Sequence, residues 1–599
     1  MTFLHHTVLS WIVFLPVIGI GVILLMPGDR AIRWAAFAFS LADLVVALWL
    51  PFAFRAGQAG FQFQQNVPWI PAFHIHYYLG VDGISLWLLP LTALMTWLAI
   101  LASWKHIHRH SRAFYLLMLL LSTGMLGAFV SLDLFLFYVF WELALIPLTL
   151  LVGIWGQHHR IYAAYKFLLY TMAGSMLMLA CIIWLYNLTG TFSFPAIQAG
   201  LASGAFHIGP TAAMWLFLGF FIAFAIKTPL FPFHSWLPDV YSEAPAAAVV
   251  MSVVMVKLGP YGLLRFNLTL FPHAAARAAW VIVILGLIGL IYGGLVAFSQ
   301  KSMTKLVAYG SVSHMSLIII GVFTFTALGT QGAVYQMLNH GIITGGLFIL
   351  IGILYEQRHT ADLAEFGGLA KAMPWFAGFF VLLMLASVGL PMLSGFVGEF
   401  LIMLGAFLAH HVFGIIAAAA IIVSALYLLK WTRATLFGEI THSANATLRD
   451  LDARERFIFA VIAVLVIFMG LFSPLFLRKV QASVAANVAP YANANPFGVT
   501  GRAPSPALRA AAVPPLDAGR WSAAGGRGFS PRAEAHGAPG SAGAQAGRAA
   551  QPRWDPRPST LSGTTARAFL QPWPRAVRGP GAAAFRPLLT ALHSAGGAL

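Results

Sequence analysis

Long uninterrupted apolar runs are the feature that most constrains this chain. Runs of about 20 apolar residues recur through roughly the first 480 of its 599 positions, and a helix needs about that length to cross the hydrocarbon core of a bilayer. Only 9% of the residues are charged, whereas soluble domains contain about a quarter. So few charges cannot cover a water-facing surface, so the sequence predicts a polytopic membrane protein.

The apolar runs predict an all-α fold with about 14 transmembrane helices. Their approximate cores lie at 8–26, 33–53, 80–103, 112–130, 132–154, 165–187, 211–233, 245–268, 278–298, 303–324, 331–354, 374–402, 405–431 and 457–476. The first run lacks the basic start and the small-residue cleavage pattern of a secretory signal, and another spanning run follows it. We therefore expect it to remain as a permanent helix.

The basic residues of the loops predict the orientation. Lys and Arg in short loops concentrate on the cytoplasmic side of a membrane. Loops after odd-numbered predicted spans hold most of them, for example Lys105 and Arg109, whereas loops after even-numbered spans hold few, mainly Arg55, Arg265 and Arg277. This asymmetry predicts that both termini lie outside the cytoplasm.

Helix-breaking residues interrupt two of the predicted spans. Pro229 and Pro232 lie in the seventh span, and Gly389, Pro391 and Gly395 lie in the twelfth. Each proline removes a helical hydrogen bond and clashes with the preceding turn. Because the two breaks are five spans apart, spans 4–8 and 9–13 are predicted to form two inverted five-helix repeats, and broken helices at matching places in such repeats indicate a transport site.

These observations divide the chain into five predicted segments. They are the first three helices (1–110), the first repeat (111–270), the second, inverted repeat (271–432), the last transmembrane helix (433–480) and a tail (490–599). The tail is rich in Ala, Gly, Pro and Arg, contains no Lys and shows no hydrophobic period. We expect it to be disordered, and its composition suggests that a frameshift replaced the native ending.

Two other features of the composition exclude functions. The net charge of +17 does not form one basic face or motif, which argues against nucleic-acid binding. Cys181 is the single cysteine, so neither an intrachain disulfide nor an iron–sulfur site is expected. The chain contains no phosphate-binding glycine motif, and His158 and His159 lack the spacing of metal ligands.

Four ionisable residues inside predicted spans stand out. Glu142 and Lys257 lie about ten and twelve residues into their spans, Lys227 directly precedes the first helix break, and Glu399 follows the second. A charge at the bilayer centre costs about 3 kcal/mol or more on insertion scales, so each needs an explanation. Asp43 is a fifth buried charge, in the second span, and its role stays open.

Two interpretations fit these charges. Static buried ion pairs that fix helix register are one of them, whereas four ionisable groups in four spans, two of them beside helix breaks, favour a proton path. If Glu142 approaches Lys227 to within about 7 Å, their attraction is about 2.4 kcal/mol at an effective dielectric near 20. The separation of this pair would then decide whether the lysine keeps its proton.

Histidines lie between the lysines and the second break. His314 and His340 are near the middle of spans 10 and 11, and histidine can relay protons near neutral pH. A packing role is the alternative for each. His234 and Lys305 are secondary candidates, although Lys305 is better placed to extend toward the cytoplasmic surface as an interfacial anchor.

Several motifs resemble the antiporter-like subunits of respiratory complex I. They are Phe140-Trp-Glu-Leu-Ala-Leu-Ile-Pro147, Lys227-Thr-Pro-Leu-Phe-Pro-Phe-His-Ser-Trp-Leu-Pro-Asp239, Glu243-Ala-Pro245, Val256-Lys-Leu-Gly-Pro-Tyr-Gly262 and Ser311-Val-Ser-His-Met-Ser316. The resemblance covers about residues 1–480. In other subunit types of this family the second break usually carries lysine, and Glu399 at this position resembles the M-type subunit.

The resemblance implies a function and an assembly. The family fold has 14 core helices, two inverted repeats and broken helices 7 and 12. The family's roles carry over to Glu142 and Lys227 as a coupled pair, to Lys257, His314 and His340 as a central proton axis, and to Glu399 as the distal site.

The resemblance also implies partners and cofactors. L-type and N-type subunits would lie on either side of this chain in a bacterial inner membrane, with no nucleic acid among its partners. NADH, FMN, iron–sulfur clusters and quinone would be handled by other subunits, and this chain would bind no cofactor. The alternatives are a subunit of a multisubunit cation/proton antiporter, a haem protein with His314 and His340 as axial ligands, and a structural scaffold.

Overall fold

The computed structural model describes residues 2–440, 442–492 and 496–497 of the protein, with side chains from residue 7 onward. The described residues belong to one compact unit, Met1–Ala503. Almost all of the predicted disordered tail (490–599) lies outside the described residues.

Helices dominate the described residues. Those of the first half are α1 (Thr2–Leu25), α2 (Asp29–Ala53), α3 (Leu88–Ala102), α4 (Ser111–Val130), α5 (Leu134–Leu143), α6 (Leu145–Trp155), α7 (Arg160–Thr189), α8 (Phe194–Ser203), α9 (Pro210–Lys227), α10 (Trp236–Glu243), α11 (Ala246–Met255), α12 (Leu258–Gly262) and α13 (Leu268–Leu270). Those of the second half are α14 (Pro272–Ser299), α15 (Met303–Phe323), α16 (Ala327–Arg358), α17 (Leu369–Ala372), α18 (Pro374–Val388), α19 (Ser394–Ala409), α20 (His411–Leu436), α21 (Ser443–Ala446), α22 (Ala453–Leu471) and α23 (Ser473–Val488).

The lengths and apolar character of these helices confirm a polytopic all-α membrane protein. Twelve candidate spans are long and apolar enough to cross a membrane, and a thirteenth is formed if α22 and the following segment, which are bent by 68°, count as one. Helices α18 and α19 are apolar but shorter. The structure therefore agrees with the predicted class, a polytopic all-α membrane protein. The number of spans depends on whether two helices separated by an interruption are counted as one span or as two.

A β-hairpin and several short helices were not predicted. Strands β1 (Gln62–Ile70) and β2 (Ile75–Val81) pair antiparallel. The helices outside the predicted spans are α8, α10, α17, α21 and most of α23. The hairpin mixes polar and aromatic residues, which gives no long apolar run. Helix α23 starts with Pro at its first turn after the bend that follows Phe472, so the apolar run alone did not reveal it.

Both predicted helix breaks are present. Helix α9 ends at Lys227, and the chain stays non-helical until Trp236, because Pro229 and Pro232 cannot donate backbone hydrogen bonds. Helix α18 ends at Val388, and α19 begins at Ser394.

Two further interruptions were not predicted. Helices α5 and α6 meet at Ala144, because Pro147 lacks an N–H group and its ring opposes the carbonyl of Leu143. The span predicted at 245–268 is divided into α11, α12 and α13, with a π-helical turn at Leu263–Asn267. Pro260 explains the first of these divisions, since it removes the hydrogen bond to the Val256 carbonyl.

The position of Arg265 corrects one part of the sequence interpretation. The charge pattern of the sequence predicts a loop position for Arg265, but this residue lies in the π-helical turn and is only 3% exposed. Its guanidinium donates to both carboxylate oxygens of Asp82, at 2.8 and 2.5 Å. The carboxylate also accepts from the backbone N–H groups of Ile84 and Ser85, so the charge is paired inside the protein and does not report on loop orientation.

Candidate functional site

Lys257 occupies the interruption between α11 and α12, where its side chain is completely buried. Its Nζ donates to the carbonyl oxygen of Val253 at 2.5 Å and lies 2.5 Å from Nδ1 of His340 on α16. When the lysine is protonated, His340 Nδ1 must accept, because an ammonium group has donors only. The interruption thus brings a buried amine into direct contact with an imidazole.

His314 and Glu399 form a second direct contact. Nδ1 of His314, on α15, lies 3.2 Å from Oε1 of Glu399, on α19. Both residues are buried, with Glu399 only 4% exposed. Glu399 lies in the second turn of α19, just after the break, so the break positions a carboxyl group against the imidazole.

The two histidines connect these contacts. The rings of His314 and His340 meet edge to face with their centroids 5.9 Å apart. Each Nδ1 is engaged, by Glu399 and by Lys257 respectively, and each Nε2 is buried without a hydrogen-bond partner among the described residues. Lys257, His340, His314 and Glu399 therefore form one continuous row of ionisable groups, which we call the central row.

Glu399 has polar neighbours that the sequence analysis missed. Gln336 donates from Nε2 to Glu399 Oε1 at 3.1 Å, and Asn339 donates both to Gln336 Oε1 at 3.1 Å and to the Ser394 carbonyl at 2.8 Å. Gln336, Asn339 and His340 recur on α16 at a spacing of three and four residues, which places them on one helix face. That polar pattern inside an otherwise apolar run was the available signal.

Gly389 is required at the same break. Its φ is +83°, and a Cβ atom at this position would lie 2.8 Å from Oε2 of Glu399. Side chains other than glycine rarely adopt this backbone conformation. The glycine therefore both terminates α18 and leaves space for the carboxylate.

Lys227 lies at the other break in an aromatic enclosure. Its Nζ is 5.0 Å from the centroid of the Trp141 ring and 5.8 Å from that of Phe167. The side chain is 1% exposed, and Nζ has no hydrogen-bond partner in the described part of the chain. Cation–π contacts of this kind stabilise a desolvated cation by about 2 kcal/mol.

Glu142 forms no hydrogen bond or salt bridge with Lys227 within the described residues. Glu142 is half-buried, and its Oε1 is buried without a hydrogen-bond partner in the same region. It lies two residues before the interruption at Ala144. The structure therefore shows no hydrogen bond between Glu142 and Lys227, and their coupling stays a prediction.

The two lysine-bearing interruptions pack directly on each other. A Cβ atom added at Gly259, two residues after Lys257, would collide with the hydroxyl of Thr228 and lie 2.7 Å from the Phe224 carbonyl oxygen. Thr228 immediately follows Lys227. The two interruptions are therefore in direct contact.

The remaining candidates lie away from the central row. His234 is buried in the non-helical segment after α9, and its ring contacts Phe231 and Tyr292 at centroid distances of 5.7 and 5.2 Å. Lys305 is exposed in the first turn of α15. Asp43 is 1% exposed on α2, and its Oδ1 has no hydrogen-bond partner in the described ranges.

The site geometry bears on the alternatives raised by the sequence. Within the described residues, no group of three or more His, Cys, Asp or Glu side chains is arranged to hold a metal ion. The arrangement is instead a buried row of groups that can each take up and release a proton.

Two models of known protein families match parts of this chain. The family model described as NADH:quinone oxidoreductase/Mrp antiporter, transmembrane, matches residues 131–425. A second model, described as the amino terminus of NADH-ubiquinone oxidoreductase chain 4, matches residues 58–128. All residues of the central row, together with Glu142 and Lys227, fall inside the first match.

Individual proteins are similar over most of the chain. NADH-quinone oxidoreductase subunit M of Rhodobacter capsulatus is 39% identical over 501 residues, which cover 81% of this chain and 97% of that protein. The same subunit of Escherichia coli K12 is 38% identical over 488 residues, covering 78% of this chain and 94% of that protein.

Solved structures show the same fold. A chain of respiratory complex I from Thermus thermophilus with bound NADH superposes with a TM-score of 0.74 at 34% identity, covering 80% of this chain and 99% of that one. A chain of the Mrp complex from Dietzia sp. DQ12-45-1b superposes with a TM-score of 0.72 at 21% identity, covering 84% and 100%, which shows likeness of fold alone.

The fold and the buried row thus define an antiporter-like membrane subunit of NADH:quinone oxidoreductase. Within that class, the chain belongs to the subunit M family, also called chain 4, of bacterial respiratory complex I. The resemblance inferred from the sequence motifs is confirmed, and this protein functions as one subunit of a larger enzyme complex.

Proposed function

We propose that the central row carries protons across the membrane while other subunits of the complex oxidise NADH and reduce quinone. The observation that supports this most strongly is the continuity from Lys257 through His340 and His314 to Glu399, with direct contacts of 2.5 and 3.2 Å at its two ends. Membership in the subunit M family supports the same function.

The donors and acceptors along the row allow a stepwise transfer. Lys257 gives a proton to His340 Nδ1, and His340 releases one from Nε2. The proton reaches His314 Nε2 through a water molecule that hydrogen-bonds the two Nε2 atoms, which have no partner among the described residues. His314 then releases a proton from Nδ1 to Glu399, which passes it onward. Both imidazoles end in the opposite tautomer, so each ring exchanges its proton or turns over before the next proton arrives.

Glu142 and Lys227 couple this transfer to the rest of the complex. Their charges act on each other at a distance without a fixed hydrogen bond, so a displacement of Glu142 changes how strongly Lys227 holds its proton. Thr228 and Gly259 connect the two interruptions. A change at Lys227 therefore reaches Lys257 through a short backbone contact.

We also propose the number of transmembrane spans and their division into two repeats. Counting the bent pair α22–α23 and the interrupted pair α18–α19 as one span each, beside the twelve candidate spans, gives 14. Two inverted repeats at 111–270 and 271–432 then follow helices 1–3 (1–110) and precede the last span (433–480), with helices 7 and 12 broken. The matching breaks at Lys227–Trp236 and Val388–Ser394 support this division.

Orientation and partners are also proposed. The basic loops favour both termini on the periplasmic side of the bacterial inner membrane. L-type and N-type antiporter-like subunits would flank this chain in the bilayer. NADH, FMN, iron–sulfur clusters and quinone would be handled elsewhere in the complex.

The direct test replaces Glu142 by Gln and measures proton pumping and NADH:quinone reductase activity in membranes, with assembly checked on a native gel. Glu439→Gln provides a matched control, because Glu439 is exposed. Loss of pumping and of coupled activity in an assembled Glu142→Gln complex supports the proposal. If proton pumping and reductase activity of this complex both stay at wild-type values, the buried charges have a structural role and the proposal is wrong.

A further inference from the structure

Two buried amide side chains connect Glu399 with the start of its own helix, α19. Gln336 and Asn339 are 3% and 0% exposed, and they lie about one helical turn apart on α16. Burying an amide is costly unless its polar atoms are hydrogen-bonded. The proposed proton transfer along the central row assigns no role to either residue.

Gly398 leaves the space that the two amides occupy. A Cβ atom at Gly398, the residue before Glu399, would collide with Oε1 of Gln336 and would lie 3.0 Å from Nδ2 of Asn339. The amide groups therefore lie directly against the backbone of α19, beside the carboxyl group.

The backbone of α19 fixes the orientation of the Asn339 amide. The carbonyl oxygen of Ser394, the first residue of α19, lies 2.8 Å from this amide. A carbonyl oxygen can only accept a hydrogen bond, so the atom that faces it must be Nδ2. Turning the amide over would exchange its nitrogen and oxygen and would place two acceptors against each other.

The Asn339 amide in turn fixes the orientation of the Gln336 amide. Nδ2 of Asn339 carries two protons and cannot accept a hydrogen bond. It donates its second proton to the Gln336 atom that lies 3.1 Å away, so this atom must be Oε1. Nε2 of Gln336 is therefore on the other side, where it donates to Oε1 of Glu399 at 3.1 Å. In this arrangement Glu399 faces an N–H donor and not an amide oxygen.

The titratable side chains around Glu399 are His314 from α15, whose Nδ1 lies 3.2 Å from Oε1, and Tyr427 from α20. His340, which follows Asn339 on α16, contacts Lys257. Neither α18 nor the last turn of α22 carries a titratable side chain. The amide donor thus acts on a carboxyl group that has few other polar neighbours.

We propose that Asn339 is a positioning residue that keeps the N–H group of Gln336 turned toward Glu399 and so favours proton release from this carboxyl group; the inference rests on the proposed function of the central row. A donor held against a carboxylate stabilises its ionised form, whereas an amide oxygen at the same place stabilises the protonated form. Without Asn339, the Gln336 amide can turn over whenever Glu399 takes up a proton, and Glu399 then holds that proton longer. Gln336 and Asn339 keep their own protons throughout.

The test uses the assembled complex with Asn339→Leu, because leucine has the same arrangement of heavy atoms but neither donates nor accepts a hydrogen bond. Asn487→Leu is the matched control. Asn487 is also buried, its Nδ2 donates to the backbone carbonyl of Leu264 at 2.8 Å, and its Oδ1, like that of Asn339, has no hydrogen-bond partner among the described residues. Proton pumping by sealed vesicles is measured against the pH on the side of the membrane that receives the protons, together with NADH:quinone reductase activity.

Asn339→Leu should pump normally when the receiving side is alkaline, and its pumping should fall to half at a pH about one unit higher than in the wild type. One unit corresponds to a change of about tenfold, which is the scale of one hydrogen bond to a charged group. A change of packing alone would slow pumping at every pH without displacing the profile. Asn487→Leu should keep the wild-type profile, and an undisplaced profile in Asn339→Leu would overturn the inference.

Gln336→Leu tests whether Asn339 acts through Gln336. This variant removes the donor itself, so it should displace the profile in the same direction, and adding Asn339→Leu to it should cause no further displacement. A further displacement in the double variant would contradict the inference, because Asn339 would then act on Glu399 independently of Gln336. If Asn339→Leu does not assemble, Asn339→Ala decides by the same profiles, alone and combined with Gln336→Leu.

Glu399→Gln, measured in parallel, separates this inference from the proposed function. If Glu399→Gln abolishes pumping while the Asn339 variants keep the profile of Asn487→Leu, the inference about Asn339 is wrong and the central row stands. If Glu399→Gln itself pumps at the wild-type rate, the proposed function is wrong and the inference falls with it.

Discussion

Nζ of Lys257 lies 2.5 Å from Nδ1 of His340, and both side chains are buried at the interruption between α11 and α12. This contact fixes the direction of the imidazole. Because Nδ1 faces the lysine, Nε2 lies on the other side of the ring, where it is buried without a hydrogen-bond partner among the described residues. The geometry therefore makes His340 a group with one proton-accepting side and one proton-releasing side.

His340→Gln should stop proton pumping. Glutamine keeps an amide that can hydrogen-bond Lys257, but it cannot take up a proton and release it on the opposite side. Loss of a positioned proton-transfer group slows the step by about 100-fold or more. Pumping by assembled complexes in sealed vesicles is the measurement. His207→Gln, at an exposed position, should pump normally, and equal pumping by the two variants would contradict the relay.

Gly389→Ala should impair pumping while Gly378→Ala should not. At Gly389 the backbone has φ +83°, and the new methyl group would lie 2.8 Å from Glu399 Oε2. The left-handed conformation alone costs alanine about 1–2 kcal/mol, and the contact displaces the carboxyl group from His314. A Cβ atom at Gly378, on α18, meets nothing within 4 Å. The ratio of pumping rates in the two variants is the readout, and a ratio near one would show that Glu399 tolerates displacement.

The central row was predictable in its residues but not in its contacts. Charged and histidine side chains inside apolar runs identified Lys257, His314, His340 and Glu399, since such residues are costly in a bilayer. Which atoms meet depends on helix interruptions at Ala144 and at Lys257, whose prolines lie three residues beyond each break. A single proline inside an apolar run does not reveal where the chain will break.

The outer parts of the fold were less predictable for a different reason. The β-hairpin and α23 are neither long nor apolar, so a search for membrane spans passes over them. Arg265 looked like a loop residue because a charge near the end of an apolar run usually marks the membrane surface. Its partner, Asp82, is 183 positions away in the sequence, and no local pattern indicates such a pairing.

Breaking the buried ion pair between Arg265 and Asp82 should destabilise the protein. Removing one partner leaves an uncompensated buried charge, which costs about 3–5 kcal/mol. Arg265→Gln and Asp82→Asn should each lower the temperature at which the assembled complex dissociates. The dissociation temperature of the double variant should fall by less than the sum of the two single decreases, because the double variant buries no unpaired charge. Additive losses would show that the two groups act independently.

Asp452 allows a test of pH dependence outside the membrane spans. It caps α22 by accepting from the Glu455 backbone N–H at 2.8 Å, and Lys105 donates to its Oδ2 at 2.6 Å. Burial of the carboxyl group tends to raise its pKa, but Lys105 and the Glu455 N–H outweigh this effect and hold the pKa below its ordinary value. The stabilising effect is therefore fully present above the unfolded pKa of about 3.9 and is lost only as the pH falls through the lower folded value.

Asp452→Asn should keep the helix cap, because asparagine caps as well as aspartate. It should lose the attraction to Lys105 and the longer one to Arg454, whose Nε lies 3.9 Å from Oδ1. Half of the Lys105 side chain is exposed, so the loss should be at most about 1 kcal/mol. Asp452→Ala should lose about 1 kcal/mol more, since the cap is removed as well. Dissociation temperatures of the complex, measured from pH 5 to pH 8, should show a constant gap between wild type and each variant. A gap that narrows toward pH 5 would mean that the carboxyl group titrates in this range and is not held by Lys105.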